Sequence, residues 1–214
     1  MEPKFNLGKQ SVVEANVHLG YEYLDSKNPT VIGENAYIHS GTVIYKDTII
    51  GSHFTAGHNV TIRAKCNIGD RVVVLHNSTL EGNIKIGLGV KIMAHVYVPS
   101  QTIIGNMVFI GPGTTILNAT FPMRKPGINP VIVGDHVVIG GGVTILPGVI
   151  IGNNSFIGAG SVITKNIPEN SLVYGNPIVI KPLPKDFGVG NDPNQIFNGR
   201  DLWNNIEDNS WDIK

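Results

Sequence analysis

Three of the seven histidines are candidates to do chemistry, and two of them are spaced so that their side chains can stack. His58 and His76 lie 18 residues apart, and His95 follows 19 residues after His76. An imidazole titrates near neutral pH, so it can remove a proton from an attacking hydroxyl group or bind a metal ion. His95 is the first candidate for a catalytic base and His76 the second. The stacked pair His58 and His76 is compatible with structural hydrogen bonding, with a metal site or with coincidence.

The other four histidines are expected at turns or outward positions, exposed to solvent and without a chemical role; they are His18, His39, His53 and His136.

Residues 131–166 indicate which elements must position these side chains. They divide into six blocks of six, VIVGDH VVIGGG VTILPG VIIGNN SFIGAG SVITKN, with Val or Ile at the third position of each. A period of six fits neither a helix nor simple alternation, so each block predicts a short strand with an inward aliphatic residue, followed by a turn. Three blocks form one triangular coil, and stacked coils bury their apolar faces against each other as a solenoid.

The same phase runs through most of the chain. Residues 30–119 contain fifteen further blocks, and the third position is Ile, Leu or Val in twenty of the twenty-one blocks, Ala56 being the exception. A seven-residue insertion at 23–29 and eleven extra residues within 120–130 interrupt it. We therefore predict one all-β domain of about eight coils over residues 1–184. A polar C-terminal tail of residues 185–214, with room for one short helix, follows it.

Composition excludes several classes of function. Lys and Arg together number 16, as do Asp and Glu, so the net charge is zero and neither nucleic acid nor an anionic membrane is an expected partner. Because the N-terminus lacks a signal sequence and no 18 apolar residues run together, we expect a cytoplasmic protein that does not insert into membranes. The single Cys66 stands at an inward position and is predicted to be a buried structural thiol.

The outward second position of each block differs between the three faces of the predicted prism. The first face carries Val31, Ile49, Asn67, Lys85, Ile103, Ile132 and Ile150, and the second carries Tyr37, Thr55, Val73, Lys91, Phe109, Val138 and Phe156. The third face is richer in threonine. Two faces are too apolar for water, which predicts that partner subunits cover them in a homo-oligomer.

The period, together with GGGVTILPGVIIGNNSFIGAGSVITKNIPENSLVYGNP at 140–177, resembles the hexapeptide-repeat acyltransferases. The resemblance implies a left-handed parallel β-helix that assembles as a homotrimer and uses acetyl-CoA, bound in the groove between two subunits, with no metal. It also implies cofactor contacts at Gly141, Ala159, Thr164 and Lys165, with Lys165 meeting a phosphate.

Stacking arithmetic adds a second argument for the cofactor. The turn between the second and third strands of successive coils aligns Gly41, Asn59, Asn77, His95, Gly113, Gly142 and Gly160, with Ser40, His58, His76, Ala94, Pro112, Gly141 and Ala159 beside them. The last three coils expose bare backbone, which an extended pantetheine arm needs in order to approach peptide groups. Gly113, Gly142 and Gly160 are thus further cofactor candidates, and the thioester is expected to arrive near His95 or Asn77.

The residues before the eleven-residue excursion bear on the acceptor. Within the family, sugar O-acetyltransferases carry a histidine base where this chain has Phe121 in LNATFP. The nearer resemblance is to the Asn-Asp-x-Tyr-Pro signature of N-acetyltransferases that act on nucleotide-linked amino sugars, with Asn118 matching and Ala119 departing. We therefore predict N-acetylation of a nucleotide-linked amino sugar in surface polysaccharide biosynthesis. Asn77, Asn118 and Arg124 are the acceptor-binding candidates, and Asn118 is also a catalytic one.

Two alternatives stay open. The first is acetylation of a sugar hydroxyl with His95 or His76 as the base. The second is a zinc hydratase like the γ-class carbonic anhydrases, because VVLHNS at 73–78 is mildly similar to a zinc-ligand segment of that class, although FIGPGTTIL at 109–117 lacks the further histidine pair.

Overall fold

The computed structural model describes residues 4–24, 26–120 and 127–185, and within these ranges it contains 26 β-strands and no helix. The first 24 strands form eight three-stranded coils, as the six-residue period predicts. Each coil has a first turn, a second turn and a third turn, which follow its first, second and third strands.

The strands are short and evenly spaced along the chain. Coils one to three contain β1 (Phe5–Leu7), β2 (Val12–Val13), β3 (His18–Tyr21), β4 (Thr30–Ile32), β5 (Tyr37–Ile38), β6 (Val43–Tyr45), β7 (Ile49–Ile50), β8 (Thr55–Ala56) and β9 (Thr61–Ile62). Coils four to six contain β10 (Asn67–Ile68), β11 (Val73–Val74), β12 (Thr79–Leu80), β13 (Lys85–Ile86), β14 (Lys91–Ile92), β15 (Tyr97–Val98), β16 (Ile103–Ile104), β17 (Phe109–Ile110) and β18 (Thr115–Ile116). Coils seven and eight contain β19 (Ile132–Val133), β20 (Val138–Ile139), β21 (Thr144–Ile145), β22 (Ile150–Ile151), β23 (Phe156–Ile157) and β24 (Val162–Ile163), and β25 (Ser171–Tyr174) and β26 (Val179–Pro182) follow them.

Equivalent strands of successive coils pair in parallel and build three sheets. The first and third sheets have eight strands each, and the second has ten because β25 and β26 extend it. Partners are 18 residues apart, as in Asn67 with Lys85, and across the excursion Ile103 pairs with Ile132 without a shift of register. The architecture is the predicted left-handed parallel β-helix.

The core is the interior of the prism. From coil two to coil eight both inward positions of each block are buried, including Ile38, Ile62 and Ile110. Ala56, the one small residue at a third position, lies two residues after the fully buried Phe54 on the same face of the strand. The larger Phe54 compensates for the missing volume, so the exception in the sequence pattern leaves the core packed.

Inward hydroxyl groups are satisfied by nearby carbonyl groups rather than by water. Thr42 Oγ1 donates to Gly57 O at 2.9 Å, and Ser78 Oγ donates to Met93 O at 2.9 Å, although both residues are fully buried. Each bond therefore removes the cost of burying an unpaired hydroxyl and ties one coil to the next.

Both interruptions of the repeat leave the prism intact. The backbone N–H groups of Lys27 and Asn28 donate to the Asp47 carboxylate at 3.0 and 2.7 Å, which fastens the first insertion to the third turn of coil two. After the excursion the chain rejoins the stack where Asn129 N–H donates to Asn118 O at 2.7 Å. The predicted helix in the tail and residues 121–126 of the excursion lie outside the described residues.

The outward faces differ more than the sequence predicts. On the first sheet Ile49 is 55% exposed and Ile150 is 45% exposed, whereas on the second sheet the outward Thr55 and Val73 are buried within the chain itself. The expectation that partners must cover two faces is therefore wrong for the middle of the second sheet. A row of exposed aliphatic side chains is a property of the first sheet.

No helix among the described residues is long and apolar enough to cross a membrane.

Candidate functional site

The second turns form the column that stacking arithmetic predicts. All seven aligned residues have positive φ, from 57° at Asn59 and Asn77 to 78° at Gly41. Each N–H donates to a carbonyl group of the turn one coil earlier: His95 N–H bonds to His76 O at 2.9 Å and Gly160 N–H to Gly141 O at 2.9 Å. Turn and ladder are thus uniform along the column, while the side chains are not.

The last three coils present a bare surface in this column, here called the glycine strip and composed of Pro112, Gly113, Gly141, Gly142, Ala159 and Gly160. A Cβ added at Gly113, Gly142 or Gly160 would meet no atom within 4 Å. Asn59, Asn77 and His95 adopt the same positive φ in the same column, so the backbone conformation does not demand glycine there. The missing side chains instead leave room for a molecule that approaches from outside.

His95 stands at the N-terminal end of the glycine strip. It is exposed, has φ 60°, and occupies the column one coil before Gly113. With strands spaced roughly 4.8 Å apart, about 14 Å separate the levels of Gly160 and His95. A flexible chain lying along the strip would bring a reactive group at its end to the imidazole.

His76 is held differently. Its ring stacks on His58 at 5.4 Å with an interplanar angle of 16°, which confirms the stacking predicted from their spacing. His76 Nδ1 accepts a hydrogen bond from His58 N–H at 2.9 Å, so the proton of the neutral ring is on Nε2. Burial lowers the pKa of His76 below its usual 6.5, and the nearby histidines lower it further. His76 is thus held by its neighbours and is a weaker base than an ordinary histidine, and its role as the second candidate base stays a prediction.

His39 is neither exposed nor unpartnered, contrary to the expectation from sequence. It is half-buried, its Nδ1 lies 2.9 Å from Glu14 Oε1, and its ring contacts those of Tyr37 and His58 at 4.6 and 4.7 Å. Sequence reasoning missed Glu14 because the first coil carries the weakest repeat pattern, although Glu14 occupies the second turn of that coil.

The third turns carry the remaining predicted residues. Asn118 Nδ2 donates to Ser100 O at 3.0 Å and to Ser100 Oγ at 3.2 Å, one coil earlier in the same column. Thr164 and Lys165 occupy the equivalent turn of coil eight and are exposed. These residues and the glycine strip flank opposite ends of the third-sheet strands. A single chain therefore does not bring Asn118, Thr164 and Lys165 together with His95 and Gly142.

A cleft of about 340 Å³ opens along the third turns below Asn118 and was not predicted from sequence. Its lining includes Tyr23, Arg63, Glu81 and Ser100. Arg63 Nη1 donates to Glu81 Oε2 at 2.6 Å, and the guanidinium carbon lies 4.7 Å from the centre of the Tyr23 ring. An aromatic ring beside fixed charged and polar groups can bind a polar ring compound. The 18-residue spacing of Arg63 and Glu81 was a usable signal in the sequence.

The structure describes one of the two remaining residues that were predicted to bind the acceptor. Asn77 is exposed and lies in the second-turn column directly before His95, so it can contact a molecule bound there. Arg124 lies outside the described residues.

Cys66 confirms the prediction of a structural thiol. It is 2% exposed, its Sγ donates to Arg63 O at 3.1 Å, and burial raises the pKa of the thiol to about 12. It is not a nucleophile at neutral pH.

Comparison with known proteins supports the interpretation of the repeat. Residues 130–165 match the family described as "Bacterial transferase hexapeptide (six repeats)". Galactoside O-acetyltransferase of Escherichia coli is 32% identical over 162 residues, which cover 71% of this chain and 74% of that protein.

Two further relatives match over shorter stretches. Galactoside O-acetyltransferase of Lactococcus lactis is 40% identical over 108 residues, and a putative acetyltransferase of Saccharomyces cerevisiae is 39% identical over 130 residues. These alignments cover 46% and 56% of this chain but only 52% and 61% of the two relatives.

Among solved structures, a UDP-N-acetylglucosamine acyltransferase from Francisella novicida has the same fold. It superposes with a TM-score of 0.58 at 17% identity, over 81% of this chain and 68% of that chain.

Proposed function

This chain belongs to the bacterial hexapeptide-repeat transferases, and we propose that it transfers the acetyl group of acetyl-CoA to a small saccharide. The observation that carries this proposal is the glycine strip that ends at His95. It combines a surface for an extended donor with a group that can accept the proton of the acceptor. Named relatives that are acetyltransferases support the donor and the class of reaction.

The donor is assigned to the glycine strip. Gly113, Gly142 and Gly160 leave their outward sides open, so a pantetheine arm can lie close to the backbone and exchange hydrogen bonds with its peptide groups. Lys165 of a neighbouring chain, an exposed cation at the last coil, is assigned to a phosphate group of CoA, and Thr164 beside it to a polar contact. The thioester then lies toward His95.

The reaction needs one proton transfer and one acyl transfer. The acceptor hydroxyl or amine attacks the thioester carbonyl carbon, a new C–O or C–N bond forms, and the C–S bond breaks. His95 takes the proton of the acceptor and returns it to the departing sulfur, so CoA leaves as the thiol. A turn N–H group that faces the carbonyl oxygen would stabilise the transient oxyanion. His76, whose Nδ1 already accepts a hydrogen bond, is assigned the supporting role.

A hydroxyl group is the acceptor that the relatives favour, because two of them are named galactoside O-acetyltransferases. An amino group is the second candidate, favoured by Phe121 at the position where sugar O-acetyltransferases carry their histidine. The prediction of a nucleotide-linked amino sugar therefore stays a proposal beside the O-acetylation that was its alternative. Tyr23, Arg63, Asn77 and Asn118 are the acceptor-binding residues in either case.

We assign the complete site to a boundary between chains of a homotrimer. The donor column and the acceptor cleft flank opposite ends of the third-sheet strands, so a second chain is needed to bring Asn118 toward a donor bound near His95. The exposed aliphatic row on the first sheet, including Ile49, Ile103 and Ile150, provides apolar surface for such an assembly.

Release of free thiol from acetyl-CoA tests the reaction. The protein is offered galactosides, maltose, free amino sugars and nucleotide-linked amino sugars, and the product is identified as an ester or an amide by its stability to mild alkali. An ester from a plain sugar supports O-acetylation, and an amide supports N-acetylation. If none of these acceptors causes release of free thiol from acetyl-CoA, the proposed function is contradicted.

Mixing two inactive variants tests the shared site. When equal amounts of His95→Asn and Asn118→Ala chains assemble at random, the mixture should recover about a quarter of wild-type activity, since about one boundary in four then pairs two intact half-sites. Mixed trimers without activity would place the whole site within one chain.

A further inference from the structure

We propose that Glu14, His39 and His58 bind a divalent transition-metal ion such as Zn²⁺, which fastens the first three coils of the solenoid to each other. This site goes beyond acetyl transfer. It lies in the second turns of coils one, two and three, whereas His95 lies in coil five.

The donor atoms converge from three successive coils. One ligand atom of each side chain lies within 4.8 Å of the others, and this is the one such group of three among the residues that the structure describes. Donor atoms of a tetrahedral zinc site lie roughly 3.3 Å apart, since zinc to nitrogen or oxygen distances are about 2.0–2.2 Å. His58 is the exposed member of the three, so solvent reaches the site and water would complete the coordination.

Neighbouring groups orient all three side chains. Glu14 accepts hydrogen bonds from Ser40 N–H at 2.9 Å and from Tyr37 Oη at 3.2 Å. His58 Nδ1 lies 2.9 Å from Ser40 Oγ. Contacts from residues outside the ligand set fix the orientations of metal ligands and increase their affinity. The 2.9 Å between His39 Nδ1 and Glu14 Oε1 joins two of the proposed ligands directly.

The chemistry of the donor set suits a transition-metal cation. Two imidazoles and one carboxylate form a donor set that prefers zinc and similar transition metals over Mg²⁺ or Ca²⁺, which select oxygen ligands.

The position explains what the metal would do. Among the described residues coil one packs only on coil two, and Phe5 is 41% exposed and Val12 39% exposed. End coils of a solenoid need capping, since each repeat is stabilised only by its neighbours. A metal ion bridging Glu14 to coils two and three would oppose fraying of this end.

Zinc binding to the chelator-treated full-length protein tests the site, measured by calorimetry with Mg²⁺ as the comparison cation. We expect one zinc ion per chain and no Mg²⁺ binding. The double substitution His39→Ala with His58→Ala should abolish the binding, and Glu14→Gln, which keeps the shape, should weaken it by roughly tenfold or more. His53→Ala, an exposed histidine in the first turn of coil three, is the matched control and should leave it unchanged.

Thermal unfolding provides an independent measurement that does not depend on the double variant folding well. Zinc at about a hundred times the wild-type dissociation constant should raise the Tm of the wild-type protein by about 5 °C and that of Glu14→Gln by about half as much or less. Absence of stoichiometric zinc binding to the wild-type protein, or equal binding by the wild-type and Glu14→Gln proteins, would overturn the site. Binding without any rise of Tm would overturn its fastening role.

Discussion

The two halves of the second-turn column share one backbone and differ in their side chains. In coils three to five the second turns carry the aligned Asn59, Asn77 and His95 with His58 and His76 beside them, whereas in coils six to eight they carry the glycine strip. Positive φ and the inter-coil N–H to carbonyl ladder continue through both halves. The solenoid therefore keeps its backbone constant along the column, and its function depends on the few side chains that the turns present.

The boundary between the halves is where chemistry is expected. His95 is the last polar side chain before the bare backbone begins at Gly113, one coil later. A ligand bound to one half can therefore be reached by a side chain of the other. Substitutions that remove the imidazole of His95, or that add a side chain to the glycine strip, test whether the two halves have different roles.

Loss of the imidazole at the boundary should have the largest effect. His95→Asn should lower kcat by roughly a hundredfold or more, because the acceptor loses its base. Asparagine suits the positive φ of this turn, as Asn59 and Asn77 in the same column show, so the fold should be retained. Steady-state kinetics and an unchanged thermal midpoint provide the measurement and its control. Near-normal kcat would remove His95 from the catalytic group.

Adding a side chain to the bare half should have the next largest effect. Gly142→Asn places a Cβ in open space at φ 65°, a conformation that Asn tolerates, so it should obstruct the donor without disturbing the chain. The KM for acetyl-CoA should rise by about tenfold, equivalent to about 1.4 kcal/mol of binding free energy.

The matched control lies in the same coil. His136→Asn puts the same residue at φ 56° in the first turn and should leave the KM unchanged. An unchanged KM for Gly142→Asn as well would mean that the donor does not lie on the glycine strip.

Removal of the cation at the last coil should have a smaller effect. Lys165→Ala should raise the KM for acetyl-CoA by about threefold at low salt and by less at high salt, because an exposed charge is screened. Lys181→Ala, which removes another exposed cation near this end, is the comparison variant. Equal KM values at both salt concentrations would show that Lys165 does not meet a phosphate.

The smallest expected effect is the contribution of His76 to the pH dependence of folding stability. The pKa of His76 is lowered in the folded protein, so the unfolded chain takes up a proton first as the pH falls below 6.5. The resulting stability is present above pH 6.5 and is lost on acidification toward the lower folded pKa.

Urea midpoints measured between about pH 7.5 and about pH 5.5 should therefore fall less for His76→Gln than for the wild-type protein. The same decline in both proteins would show that another group causes it.

The fold could be predicted to the level of single strands because the repeat is nearly perfect. Inward aliphatic residues at every sixth position define register and coil number together, and the 29-residue spacing of Ile103 and Ile132 already located the excursion. The prediction of exposure failed at outward positions whose burial depends on parts of the chain distant in sequence. The outward Thr55 and Val73 look equivalent to exposed positions in the sequence, yet the folded chain buries them.

The site was predictable in part for the same reason. Column arithmetic placed His95, Gly113, Gly142 and Gly160 in one line, since equal spacing in a solenoid means adjacency in space. It did not find Glu14 with His39, whose separation of 25 residues crosses the first insertion. It also did not find the cleft at Arg63 and Glu81, which requires Tyr23 from that insertion.

The sequence by itself determined the solenoid, its eight coils and the bare half of the second-turn column, because these depend on a period that every block repeats. Only the tertiary structure decided which edge of the prism each candidate occupies. It separated Asn118 and Lys165 from His95, fixed the proton of His76 on Nε2, and joined Glu14 to two histidines. The physical reason is that these contacts form between neighbouring coils. The two insertions change the sequence spacing between coils that the repeat alone would give.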